Sequence, residues 1–179
     1  MNLKNKKILV TGGSGFIGSH LVQKLVKSGA NVTVLDNLST GRIENLNSVK
    51  TKVKFIKFDL SIQKSFNLIN KNYEYVFHLA ALADIVPSIK DPQKYFQSNV
   101  IGTENLINFF KDSKIKKFIY TASSSCYGIP KIYPTPENYG NNPQYPYAFT
   151  KLVGEQIIQH YSKIYGVPYM SMRLFNVYG

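Results

Sequence analysis

The chain has 179 residues, 44% of them hydrophobic, with 13 Tyr and 11 Phe, enough apolar mass for one domain that buries roughly 68–70% of its unfolded surface without a disulfide or structural metal. A lone cysteine excludes an internal bridge, no apolar run approaches the roughly 20 residues of a membrane helix, and Ile8 to Val10 is too short for a signal h-region, so a cytoplasmic protein with no membrane contact is expected. The net charge of +12 comes from 22 cations of which only Arg42 and Arg173 are arginine, and the lysines lie scattered in ones and twos, which predicts a solvated surface and no nucleic-acid partner.

Lys6 to Thr11 (KKILVT) is a short apolar run that ends in glycines, and Phe16 to Lys27 then places Phe16, Ile17, Leu21, Leu25 and Val26 at helical spacing. Gly29 ends that helix, and Asn31 to Leu35 (NVTVL) is a second β-branched run closing at Asp36. The alternation continues through VKFIKF (53–58), a helix near 61–70, YVFHLA (75–80), a helix over 92–110, KKFIYTA (116–122), a helix over 145–165 and PYMSMRLF (168–175). Six strands alternating with helices predict an α/β fold built on a doubly wound parallel sheet. The one long irregular stretch, Tyr127 to Tyr145, is rich in Pro, Gly and Asn, and a loop of that length is expected to wall a site.

Two places along this order carry chemistry. Between the first strand and helix, TGGSGFIG (11–18) sets Gly12, Gly15 and Gly18 where a chain must turn tightly and approach a phosphate closely, beside the unpaired N–H groups of a helix start. An ordinary structural loop reads the same way, but Asp36 ends the next strand 18 residues after Gly18, where a carboxylate can accept from adenosine ribose hydroxyls and would repel a 2′-phosphate. The alternative for Asp36 is a turn cap before Asn37. Asp59, closing the third strand, suits either an adenine amine or a helix N-cap before Ser61.

The second place is a proton-transfer set. Tyr147 and Lys151, spaced i, i+4, share one helix face, and Pro146 puts the tyrosine at a helix start, where dipole and ammonium are both expected to pull its pKa from about 10 towards neutrality. Ser123, Ser124 and Ser125 stand at the carboxyl end of a strand, where ligands of open α/β sheets gather, although the latter two equally suit satisfying loop backbone. Cys126 and His78 read as packed core groups, and Asn99 as a side chain bonded to a helix backbone.

Taken together, TGGSGFIGSHLV (11–22), DNLSTG (36–41), HLAALA (78–83), SNVIGT (98–103), SSSCYG (123–128), YAFTK (147–151) and RLFNVYG (173–179) resemble, in order and spacing, the extended short-chain dehydrogenase/reductase family in its nucleotide-sugar epimerase and dehydratase branch. The resemblance implies a Rossmann fold that binds NAD: Phe16 and Ile17 at the pyrophosphate with the glycines, Asp36 and Asn37 at the adenosine, Asp59 and Leu60 at the adenine, Leu79, Ala80 and Ala81 beside the nicotinamide, and Asn99 near the cofactor. It implies a catalytic triad of Ser123, Tyr147 and Lys151, the last two also holding cofactor, with Ser88, Ser123, Ser124 and Asn176 towards a UDP-sugar.

Dehydratases of this branch carry an Asp-Glu pair, and decarboxylases a Glu, after the catalytic hydroxyl; this chain has Ser124 and Ser125, which favours a 4-epimerase of UDP-hexoses or N-acetylhexosamines. The mechanism so implied has the tyrosine remove the C4 hydroxyl proton, a 4-keto sugar rotate in its pocket, and hydride return to its other face. Family members continue well beyond this length into a smaller substrate domain, so residues 1–179 are expected to be the cofactor domain of a partial chain. In relatives the helices matching 92–110 and 145–165 pair across a homodimer. The alternatives are another reaction on nucleotide sugars, such as a dehydratase or reductase, and a non-catalytic NAD-binding module.

Overall fold

The computed structural model describes residues 3–179. Strands β1 (Lys7–Thr11), β2 (Asn31–Asp36), β3 (Val53–Lys57), β4 (Tyr75–His78), β5 (Lys117–Ser123) and β6 (Tyr169–Leu174) pair in parallel in the order β3-β2-β1-β4-β5-β6. The chain winds outward from β1 to β3 and then crosses back to β4, so the order reverses beside β1, where open sheets of this kind form a crevice. Thr11 lies opposite both Leu35 and His78, which brings the carboxyl ends of three strands to one level.

Strand side chains alternate between faces, and the core follows that period. Ile8 and Val10 of β1 join Val22, Leu25, Val32 and Val34 on one face, beneath α1 (Phe16–Lys27). Leu9 points the other way, into a cluster with Val76, Leu106, Phe110, Phe118 and Ile158. That second face is covered by α4 (Gly102–Phe110) and α5 (Pro146–Tyr165), the latter stopped by Gly166 at φ +69°. Two-sided burial is why these strands read as continuous apolar runs.

The connections differ from expectation in three places. Residues Ile43–Lys52 form a 3-10 helix the sequence did not announce; its two buried residues, Leu46 and Val49, are three apart, the period of that helix. The helix expected near 61–70 is a shorter 3-10 turn, Gln63–Leu68, because Asp59 captures the N–H of Ser61 and the bonds that follow, Ile62 N–H to the Asp59 carbonyl and Ser65 N–H to the Ile62 carbonyl, span only three residues each. The helix expected over 92–110 is preceded by α2 (Ile85–Lys90) and divided into α3 (Pro92–Tyr95), a π turn at Phe96–Ile101 and α4.

Candidate active site

The crevice beside β1 is shaped by side chains that are missing. Gly12 sits at φ +70°, and a Cβ there would come within 2.6 Å of the Ala80 amide nitrogen; a Cβ on Gly18 would strike the Gly12 carbonyl. Gly15 is different: the nearest obstacle to its Cβ is 3.3 Å away, and it lines the open crevice with Gly12, Asp36, Asp59 and Ala80. Gly15 is also the N-cap of α1, which has neither a capping side chain nor an acidic residue in its first turn. Phe16, half exposed, and Ile17, partly buried, open that turn. An uncapped helix start facing a glycine-floored crevice fits a pyrophosphate.

The far wall is built around Asp36, which is 7% exposed. Its Oδ2 accepts from Ser14 N–H at 2.9 Å and its Oδ1 from Leu38 N–H at 2.8 Å. Each oxygen keeps a further lone pair, so the carboxylate can both hold the turn and accept from a ribose. The turn-cap reading and the ribose reading are thus compatible. Asp59 is more committed: it accepts from Ser61 N–H and Oγ and from the Asn37 amide at 3.0 Å. Burial raises its pKa, but these bonds outweigh it and hold the carboxyl below its ordinary value. It does not cap a helix, since the following 3-10 turn is entered through Ile62. Buried Leu60 and partly buried Leu79, Ala80 and Ala81 complete the crevice lining.

On the other side of the switch point, Pro146 fixes the first residue of α5 and puts Tyr147 in its first turn. Ser123 ends β5; its Oγ accepts from Ser125 N–H at 3.1 Å and caps the 3-10 turn Ser124–Tyr127, and its side chain acts to lower the pKa of Tyr147. Lys151, one turn on, is 3% exposed, and its Nζ lies 4.4 Å from the centre of the Tyr120 ring. Burial brings the lysine down to about 8, against the opposing charges of Cys126 and Glu155.

The expected acidification of Tyr147 is overturned in this arrangement. Burial pushes its phenol above the ordinary value of 10; the Ser123 side chain pulls it back, while Cys126 and Asp84 push it further up. The ammonium that was to lower it rests on Tyr120 instead.

Asn99 stands in the π turn with its amide fully engaged. It accepts from Leu82 N–H at 2.8 Å, donates to the Leu82 carbonyl at 3.0 Å and donates to Thr150 Oγ1 at 3.1 Å, so it ties the loop after β4 to α5 rather than turning towards the crevice. Ser88 is likewise unavailable to a ligand: it is fully buried and donates its hydroxyl to the Ile85 carbonyl at 2.6 Å, because α2 packs it inward. Ser124 is partly buried in the 3-10 turn, and Asn176 is exposed beyond β6.

His78 is the core histidine expected. Thr103 gives its own proton to the Asn99 carbonyl, so His78 Nε2–H donates to Thr103 Oγ1 at 2.8 Å and Nδ1 accepts from Thr11 Oγ1 at 2.8 Å. Burial, then the charge of Lys151, lowers its pKa to about 3. Sequence reasoning missed Tyr120 and the pair of buried Glu155 with partly buried Arg173, 2.6 Å apart, whose guanidinium stacks 4.6 Å over Tyr127. Glu155 was within reach, because Tyr147, Lys151 and Glu155 repeat at four-residue spacing on one helix face. Tyr120 carried no such signal.

Residues 8–179 match the model of the NAD dependent epimerase/dehydratase family. The chain is 40% identical over 174 residues to a putative UDP-glucose 4-epimerase of Methanocaldococcus jannaschii, covering 96% of this chain and 56% of that protein. It superposes with a TM-score of 0.90 and 39% identity on the UDP-N-acetylglucosamine 4-epimerase of Methanobrevibacter ruminantium in complex with UDP-N-acetylmuramic acid, over 98% of this chain and 56% of that one. The UDP-glucose 4-epimerase of Thermotoga maritima, solved with UDP-glucose, gives 0.89 and 38% over 97% and 56%. The chain thus spans about half the length of the curated relatives it matches.

Proposed function

The chain belongs to the NAD-dependent epimerase/dehydratase family, and from that premise we propose that the protein carrying these residues inverts C4 of a UDP-hexose or UDP-N-acetylhexosamine through a 4-keto intermediate. What supports the reading is Ser123 at the carboxyl end of β5, with Tyr147 and Lys151 on successive turns of α5, at the end of the sheet where Gly12 and Gly15 line a crevice. A module that only bound a dinucleotide would need no proton-transfer group there. Gly15 with the first turn of α1 would hold the pyrophosphate of NAD, Asp36 its adenosine ribose, and Leu79 to Ala81 its nicotinamide end. Bound NAD supplies a reversible hydride acceptor.

Within that frame Tyr147 takes the C4 hydroxyl proton and later returns it. Ser123 orients the same hydroxyl, and its influence on the phenol favours the phenolate against the burial that opposes it. Lys151 adds a positive charge in a dry site, where it acts at longer range than in water. Ser124 and Asn176 lie on the rim towards which a sugar nucleotide would reach. Ser124 and Ser125 in place of carboxyl groups favour epimerisation over elimination of water.

The same reading makes this an enzyme of the reducing cytoplasm that pairs with a second copy, for which the half-exposed rings of Phe96 and Phe149 supply apolar surface. Incubation of the whole protein with UDP-glucose and with UDP-N-acetylglucosamine, followed by NMR, is expected to yield the C4-inverted product of at least one. Conversion of neither, with NAD bound, overturns the proposal. Tyr147→Phe is expected to lower turnover by roughly 10²–10⁴-fold with NAD affinity kept.

A further inference from the structure

Lys151 is the most deeply buried cation of the site, and the way it is kept charged is visible in its surroundings. Its Nζ stands 4.4 Å from the centre of the Tyr120 ring. The same tyrosine donates its hydroxyl to the backbone carbonyl of Lys151 at 3.2 Å, so one side chain fixes both ends of the lysine. Tyr120 is 1% exposed and reaches this position only because residue 154, less than one turn beyond the lysine, is glycine: a Cβ there would come within 2.5 Å of the Tyr120 hydroxyl. From the other side the His78 ring packs on Tyr120 at 5.5 Å, held neutral by burial between Thr11 and Thr103.

We propose that Tyr120 is a positioning residue for the proposed reaction: its ring face is the platform that seats the Lys151 ammonium, and Gly154 is the opening that admits it. The inference rests on the reading of Lys151 as the ammonium of the active site. A cation over an aromatic face is stabilised most where water is excluded, as here. The other charged or titratable groups facing this point are Cys126 on the turn after β5, Glu155 and Tyr147 on α5 itself, and His78 on β4. Arg173 on β6 is spent on Glu155, while Asp84 before α2 and Tyr95 on α3 bear on Tyr147. None of them lies over the ammonium as the ring does, so the platform belongs to Tyr120.

The test reads the lysine directly. With lysine labelled at 13Cε in the whole protein, and the Lys151 signal assigned by its loss in Lys151→Met, the titration midpoint is followed in variants. Tyr120→Phe keeps the ring and is expected to keep the midpoint. Tyr120→Leu removes the ring and is expected to lower the midpoint by about one pH unit. Should Tyr120→Leu not fold, Gly154→Ala serves, because it displaces the ring while favouring helix; its midpoint is expected to fall and to recover when Tyr120→Phe is added. A midpoint unmoved by Tyr120→Leu, or by Gly154→Ala, overturns the proposal. The readout requires no turnover, so a protein that proves inactive on UDP-sugars yet shows these shifts overturns the epimerase reading and leaves the platform standing.

Discussion

On the β1–β3 side of the sheet's rim the crevice is made of backbone: a glycine at φ +70°, an uncapped helix start, and an Asp36 carboxylate whose bonds go to N–H groups. On the β4–β6 side the same rim is made of buried side chains, among them Ser123, Lys151, His78 and Glu155, at least nine-tenths out of solvent and each bonded to or stacked on a neighbour. The contrast teaches that the two halves answer to different perturbations. The first breaks when a methyl group meets its backbone; the second breaks when a charge or proton loses its partner, and at Gly154 when a methyl group displaces Tyr120.

The largest expected effect is acid loss of stability on the side-chain half. His78 has a folded pKa of about 3 against an ordinary 6.5, so its contribution is present above pH 6.5 and is lost as pH falls through that window towards 3, by roughly 4–5 kcal/mol in the limit. Urea unfolding at pH 7.5 and at pH 5 is expected to show the decline, and His78→Gln to flatten it. A profile equally steep in the variant would move the acid sensitivity elsewhere. Close behind, Glu155→Ala leaves the partly buried Arg173 guanidinium without its partner and is expected to cost about 2–3 kcal/mol in chemical denaturation.

Adding a methyl group tests the backbone half. Gly12→Ala forces both a left-handed backbone and a clash with the Ala80 amide, with an expected loss of about 2 kcal/mol and weakened NAD binding by calorimetric titration. Equal NAD affinity in the variant would show that the turn does not cradle the dinucleotide. The smallest effect sharpens the same point: Gly140, outside the crevice, has nothing within 4 Å of its Cβ, so Gly140→Ala is expected to stay within about 0.5 kcal/mol of the parent.

How much of this was legible in the sequence differs between the halves. The six strands along the chain, the glycine turn and Asp36 could be read because their signals are local: a β-branched run, an obligatory glycine, a carboxylate at a strand end. Tyr147 and Lys151 were legible because a helix fixes the geometry of residues four apart. Ser88 and Asn99 were placed at the ligands by resemblance alone, and packing of α2 and the π turn consumed their polar groups instead. The direction of the Tyr147 shift was misjudged for the same reason: spacing puts the ammonium on the right face but does not say which ring it meets.

The sequence by itself determined the alternation of strands and helices, the glycine turn and the identity of the proton-transfer groups, because each is encoded within a few residues of the chain. Only the tertiary structure decided that Lys151 sits on Tyr120, that Glu155 finds Arg173, and that His78 is locked neutral between two threonines. Those contacts join residues 18 to 67 positions apart and depend on which strands lie side by side in the sheet. Protonation then follows burial, and burial is a property of the packed whole.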